Sequence, residues 1–211
     1  MTTHSEASPP TDVESAATPT RERILQAAET LLRRYGPAKT AVVDVARALG
    51  MSHANVYRHF ASKAALHDAV AERWLTRVST PLDAIAAGPG PAAARLEAWV
   101  LALGTAKRRK VLDDPEMFAT YHAVAEAARH VVDAHVATLH GQLAAIVRDG
   151  VASGEFAPID PDVAARTIFD ATVRFHHPHH VRESAARSAA EEQAVRRVLA
   201  LLVAGLRAGA A

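Results

Sequence analysis

The segment Thr40-Ala41-Val42-Val43-Asp44-Val45-Ala46-Arg47-Ala48-Leu49-Gly50-Met51-Ser52-His53-Ala54-Asn55-Val56-Tyr57-Arg58-His59-Phe60 decides how this chain is read. Val42, Val45, Ala46 and Leu49 repeat at helical spacing, with Thr40 placed to cap the start and Gly50 to stop the end. Met51 alone separates that glycine from Ser52, a good cap for a second short helix through about His59. Two short helices joined by a tight Gly-containing turn form a helix-turn-helix pattern. Val56 and Phe60, four apart, anchor one side of the second helix inward. His53, Asn55, Tyr57, Arg58 and His59 are left pointing elsewhere, an unusually polar and aromatic set for an alanine-rich protein.

A helix of this kind fits the major groove of a DNA duplex, where its first turn reaches base edges. Arg58 can pair with guanine, Asn55 with adenine, and His53 with a base or a phosphate. Tyr57, His59 and Lys63 are natural phosphate contacts, and Thr40 and Ser52 can add hydroxyls and backbone N–H groups at helix N-termini. The same spacing would also describe the solvated face of an ordinary helical hairpin.

Working outward, residues 1–18 are rich in Ser, Thr, Pro and Glu and read as a disordered tail. A helix begins near Thr18 or Thr20, carries Ile24, Ala28, Leu31, Leu32 and Tyr35, and ends at Gly36-Pro37. Ser62 caps a longer helix, with Leu66, Val70, Trp74, Leu75 and Val78 inward, that runs until the Gly88-Pro89-Gly90-Pro91 break. Further helices are expected over about 91–112, then over 116–152 as one long element or two with a bend. Another runs from Asp160-Pro161-Asp162 to about Phe175, and, after a His/Pro-rich connection, a last one spans roughly 188–207. Asp114-Pro115-Glu116 and Asp160-Pro161-Asp162 each supply a cap, a first-position proline and a dipole-compensating acid. No alternating β-branched run predicts a strand. The fold class is all-α: an N-terminal three-helix unit (19–63) with the helix-turn-helix, then a C-terminal helical bundle (64–211).

Composition agrees with that division. Residues 1–19 carry −3, residues 20–63 carry +5, and residues 64–211 carry −1, so a short basic segment stands on a nearly neutral body. That is the footprint of a chain that meets a polyanion with one part of itself. The absence of cysteine excludes disulfides, iron–sulfur clusters, thiolate zinc sites and cysteine nucleophiles. No phosphate loop, nucleophile elbow or HExxH motif is found, so no enzyme is expected. No apolar run approaches the roughly 18 residues of a membrane span and no export signal is visible, so the expected location is the cytoplasm.

The stretch from about Arg23 to Trp74 resembles the DNA-binding domain of the TetR family of transcriptional regulators. The resemblance rests on Ile24-Leu25-x-Ala27-Ala28, on Gly36, and on Thr40 ahead of Asp44-Val45-Ala46. It continues through Gly50-Met51-Ser52, Val56-Tyr57-x-His59-Phe60 and Ser62-Lys63 with Leu66. It implies backbone contacts from Thr40, Ser52, Tyr57, His59 and Lys63, with His53, Asn55 and Arg58 nearest the bases. Val45 stands where isoleucine is commoner, and Ala54-Asn55 where small pairs such as Gly-Thr are frequent. These departures bear on the operator sequence, not on DNA binding itself.

For the remaining two-thirds the resemblance implies a ligand-sensing and dimerisation domain. The expected protein is then a ligand-responsive regulator, a repressor, that binds a pseudo-palindromic operator as a homodimer and is released by a small molecule. A ligand-independent DNA binder is the rival reading. The dimer is expected through the last two helices, with Ile168, Phe169, Ala171 and Thr172 on one and Val195 to Leu206 on the other; the alternative is that these are monomer core. A pocket is expected between the middle helices, lined by Trp99, Leu103, Met117, Phe118, Tyr121, Val124 and Phe169, residue types that also serve as plain core.

Eight of the 12 histidines lie between residues 122 and 180. His122, Glu126 and His130 share a helical face, and a His with a carboxylate at i+4 can chelate a divalent transition metal. A metal-responsive regulator would use His122, Glu126 and His176 or His177; without cysteine or a fixed third ligand, pocket lining, helix-end histidines or a solvated turn are the favoured readings. His135 and His140 lie off that face and read as surface residues. Lys107-Arg108-Arg109-Lys110 reads as a solvated helix end rather than a second nucleic-acid patch. No resident cofactor is fixed by the sequence. Titration of Zn²⁺, Ni²⁺ and Cu²⁺ against wild type and His122→Ala checks the metal reading: weaker binding by the variant supports it, and identical weak binding removes it.

Overall fold

The computed structural model describes residues 20–184 and 188–210, and the tail expected over 1–18 lies outside them. The described residues form eleven helices and no strand. The first is α1 (Thr20–Tyr35), which buries Ile24, Leu25, Ala28 and Leu32 along one stripe. It ends where Gly36, at a φ of 74°, turns left-handed and returns its N–H to the Leu32 carbonyl. The helix-turn-helix follows as α2 (Val42–Leu49) and α3 (His53–His59). Gly50 (φ 64°) caps α2 in the left-handed region, and Met51 N–H bonds the Ala46 carbonyl, a tight exit that a side chain at position 50 would strain.

One cap differs from expectation. Ala41, not Thr40, is the N-cap of α2, and the Asp44 carboxylate accepts from the Ala41 N–H at 2.9 Å. Thr40 is wholly buried and donates its hydroxyl to the Gly36 carbonyl, so it ties the turn after α1 rather than capping α2. Ser52, Ser62, Asp114 and Asp160 cap their helices as their sequence contexts predict.

Helix α4 (Lys63–Ala86) joins the two halves of the molecule. Its first half, Leu66 to Leu75, shares a core with Ile24, Val45, Val56 and Phe60, whereas Val78, Leu82 and Ala86 belong to a second core with Leu96, Trp99 and Leu143. The second core is built by α5 (Ala92–Asp113), α7 (Arg129–Ala152), α8 (Pro161–Ala171) and α11 (Ser188–Ala208), with α7 packed against both α4 and α8. Between α5 and α7, α6 (Pro115–Ala127) belongs to the first core through Met117, Phe118 and Tyr121. The 116–152 segment is thus two helices, divided at Ala128.

The helix expected to reach Phe175 stops at Ala171. Thr172 donates its hydroxyl to the Ile168 carbonyl at 2.7 Å, a back-bond that bends helices, and the chain resumes as the single turn α9 (Val173–His176). The His/Pro-rich connection also contains a helix, α10 (Pro178–Ser184), started by its proline. The apolar faces expected at a dimer contact are divided. Ile168, Thr172, Val195, Leu199 and Leu206 are monomer core, whereas Val163, Ala171, Val173 and Leu201 (77% exposed) face outward.

Two devices lock the body. The Glu155 carboxylate accepts from the Ala92 and Ala93 N–H groups at the start of α5, at 2.6 and 3.1 Å, and pairs with Arg207 of α11. Gly150 lets the buried Phe156 ring lie flat on α7; a Cβ there would overlap that ring and stand 2.9 Å from the Ala92 Cβ. Gly150→Ala is therefore expected to lower stability by about 1–3 kcal/mol despite alanine's higher helix propensity. Denaturant unfolding checks this, and an unchanged or raised midpoint would contradict the packing described.

Candidate nucleic-acid interface and ligand cavity

The reading helix is short because Phe60 ends it. Phe60 and Val56 are buried in the first core, which fixes the rotation of α3 and turns its other face to solvent. Ser52, His53, Tyr57, Arg58 and His59 are exposed and Asn55 is half-buried. Arg58 donates to the Asn55 side-chain oxygen at 2.6 Å, so two of the three side chains expected nearest the bases are held as a pair. The start of α4 lies alongside, where Lys63 Nζ donates to the Ala38 carbonyl at 2.9 Å and remains near the surface. His67 Nε2 is within 3.0 Å of the Thr40 carbonyl, and burial lowers its pKa. Seven of the eight expected contacts thus lie on or beside α3 and are at least partly exposed. Thr40 does not present its hydroxyl there.

In the body, a cavity of about 790 Å³ opens between α4, α5, α6, α7 and the α8–α10 turn. Leu103, Phe118 and Phe169 line it, as expected, together with Trp74, Leu75 and Leu139. Trp99 does not. Its indole N–H donates to Gln142 Oε1 at 3.0 Å, and Gln142 in turn donates to the Ser79 carbonyl and to Asp83. Met117 and Tyr121 face a separate hollow against α1, where Tyr121 stacks on Trp74 with ring centroids 4.9 Å apart; burial pushes its hydroxyl up to about 12. Val124 is core.

All four metal candidates, His122, Glu126, His176 and His177, line the same cavity. His122 Nε2 lies 3.5 Å from Glu126, and His176 Nε2 bonds the Phe169 carbonyl at 3.1 Å. His130 turns away to Asp68. Among the described residues, the His and carboxylate donors that do gather within 4.8 Å of one another are those of His179, His180 and Glu183, exposed on α10.

Three sequence expectations are corrected here. His135 is buried and lines the cavity, and desolvation, aided by the Lys107 charge, pushes its pKa down to about 4. His140 is half-buried and meets the Phe169 ring edge-on at 4.7 Å. The basic run is solvated only at Arg109 and Lys110: Arg108 is buried, and Lys107 is 6% exposed with its ammonium 5.4 Å from the Trp74 ring centroid. Burial lowers the Lys107 pKa to about 8, which corresponds to a cost on the order of 3 kcal/mol for the charged form. A spacing signal for both residues existed. Lys107 falls between Leu103 and Val111 on the apolar stripe of α5, and His135 between Val131 and Leu139 on that of α7.

A three-helix reading head with a helix-turn-helix, joined by a long helix to a cavity-bearing bundle, defines a helix-turn-helix transcriptional regulator. Residues 24–70 match the family described as bacterial regulatory proteins, tetR family, and residues 92–197 match the tetracyclin repressor-like C-terminal domain. The chain belongs to the TetR family of transcriptional regulators. Similar solved structures include a transcriptional regulator from Pseudomonas aeruginosa PAO1 at 24% identity (TM-score 0.63; 90% of this chain and 91% of that one). A TetR/AcrR-family regulator from Thermobifida fusca YX-ER1 is 22% identical (TM-score 0.58; 89% and 98%). SmeT, the repressor of the Stenotrophomonas maltophilia multidrug efflux pump SmeDEF, is 20% identical (TM-score 0.64; 87% and 90%), and a SmeT–triclosan complex is among the matching structures. At these identities the likeness establishes the fold. No curated protein matches the sequence.

His135 and His176 are both pushed down to about 4 by burial, whereas in the unfolded chain they titrate near 6.5. The unfolded state therefore binds more protons below that value, and stability is lost as pH falls from about 6.5 towards 4. Denaturant unfolding at pH 7.5 and pH 5 should show a loss on the order of 2 kcal/mol per histidine, with a smaller loss for His135→Leu. Equal stability at the two pH values would contradict the burial of these imidazoles.

Proposed function

We propose that this protein is a ligand-responsive repressor that acts in the cytoplasm as a homodimer, and that a small molecule entering the α4–α10 cavity releases it from a pseudo-palindromic operator. One observation carries the reading: α4 is at once part of the reading head and a wall of the cavity. Leu66 and Val70 pack with Val45, Val56 and Phe60, and Trp74 and Leu75, one to two turns further on, line the cavity. A body that occupies the cavity displaces the helix on which the head is mounted. Two heads must meet successive major grooves about 34 Å apart, so a shift of a few ångströms breaks simultaneous docking. The ligand weakens DNA binding only by its difference in affinity for the two arrangements.

Support comes from SmeT, a repressor of the same fold that takes triclosan. No helix among the described residues is long and apolar enough to cross a membrane. In the proposed complex His53, Asn55 and Arg58 meet the bases, and Ser52, Tyr57, His59 and Lys63 hold phosphates. The outward apolar residues of α8 and α11 form the isologous contact between the two copies.

Binding to duplexes from the protein's own promoter region tests the reading. Lys63→Ala should weaken binding about evenly across sequences and flatten the salt slope by roughly one unit, whereas Arg58→Ala should cost about 1–3 kcal/mol and relax preference at one base pair. Equal effects of both changes on every sequence would contradict the assigned roles, and a monomeric chain that retards no such duplex would overturn the proposal.

A further inference from the structure

The cavity is apolar over most of its wall, yet it holds a cation with no counter-charge among the described residues. Lys107 makes no hydrogen bond and no ion pair with any described residue, and its ammonium sits over the Trp74 ring, 5.4 Å from the centroid. Two buried nitrogens of lining residues, Trp74 Nε1 and His135 Nε2, lack hydrogen-bond partners. A lysine and an indole can only donate, so the group missing from this corner is an acceptor. A buried cation left unpaired is costly, and it is retained where it serves a ligand or a reaction.

From this geometry we infer that the effector is an organic monoanion, a carboxylate on an apolar body, whose acidic group pairs with Lys107 beside Trp74 and His135 while the body fills the space towards Phe118, Leu139 and Phe169. The inference rests on the sensor reading above and names its ligand class. Local charge selects a single negative charge. Of the fully charged lining residues, Glu126, Arg129 and Asp133 are exposed and only Lys107 is buried, so one carboxylate is matched by the one buried ammonium. His122, His176, His177 and His179 complete the titratable lining of the cavity; His176 already bonds the Phe169 carbonyl. The size fits as well, because about 790 Å³ accommodates a body of drug-like dimensions. An anion at Lys107 would also engage the residue through which α4 touches the cavity, since the ammonium and the Trp74 face are already in contact.

Calorimetric titration at pH 7 with two matched pairs, decanoate against decanamide and 2-naphthylacetate against 2-naphthylacetamide, tests this on the full-length protein. The acids should bind at least tenfold more tightly than their amides, and Lys107→Met should abolish that preference while the variant melts at or above the wild-type temperature. Amides that bind as well as the acids, no binding of either acid up to millimolar concentration, or a preference that survives in Lys107→Met would each overturn the inference. If the variant fails to fold, the acid-to-amide ratio in the wild type decides alone. Release from promoter DNA separates this inference from the reading beneath it. A screen that finds only neutral or cationic releasers leaves the sensor standing and removes the anion, whereas DNA binding that no compound relieves removes the sensor.

Discussion

The architecture depends on one helix that is buried twice. Lys63–Ala86 contributes Leu66, Val70 and Trp74 to the core beneath the reading head and Val78, Leu82 and Ala86 to the core of the bundle. An amphipathic helix normally commits its apolar stripe to a single partner. Here the stripe, on a helix about 36 Å long, is divided between two, so one backbone segment is shared by both cores. The cavity lies where the division falls, at Trp74 and Leu75. The proposed coupling of ligand binding to DNA reading uses this same backbone segment and needs no long relay of side chains.

That placement also accounts for the chemistry of the cavity. Cores close around aliphatic side chains and exclude charge. The space near Trp74 is instead bounded by Lys107, His135 and His176, each of which pays a desolvation penalty visible in its depressed pKa. Retained polar groups in an otherwise apolar wall are what the proposed effector site requires. The locked residues around it show the contrast: Trp99, expected from sequence to line the pocket, is core with its N–H satisfied by Gln142, whereas Trp74, read only as an inward residue of its helix, borders the cavity.

What the sequence made legible follows from how local each signal is. Helix starts at Ser52, Ser62, Asp114 and Asp160 were readable because a cap acts within three residues, and the reading face of α3 because Val56 and Phe60 alone fix its rotation. The errors arose where packing register or a side-chain back-bond overrides residue type. Lys107 and His135 looked like surface residues by type, and only their register on the stripes of α5 and α7 places them inside. Thr40 looked like a cap, but the preceding turn takes its hydroxyl. The break at Thr172 needed knowledge of a side-chain back-bond, which residue identity alone does not fix. The outward apolar residues of α8 and α11 were inseparable in sequence from those that face the monomer core.

The two tryptophans of the chain occupy opposite environments. Trp99 is sealed among α5 and α7 side chains with its indole N–H bonded, whereas Trp74 borders the cavity with its indole N–H unbonded and an ammonium above its ring. Excited-state emission of an indole responds to nearby charge and hydrogen bonding, so the pair furnishes an internal gauge with a built-in standard. Trp99 marks the integrity of the bundle, and Trp74 marks what occupies the space beside it.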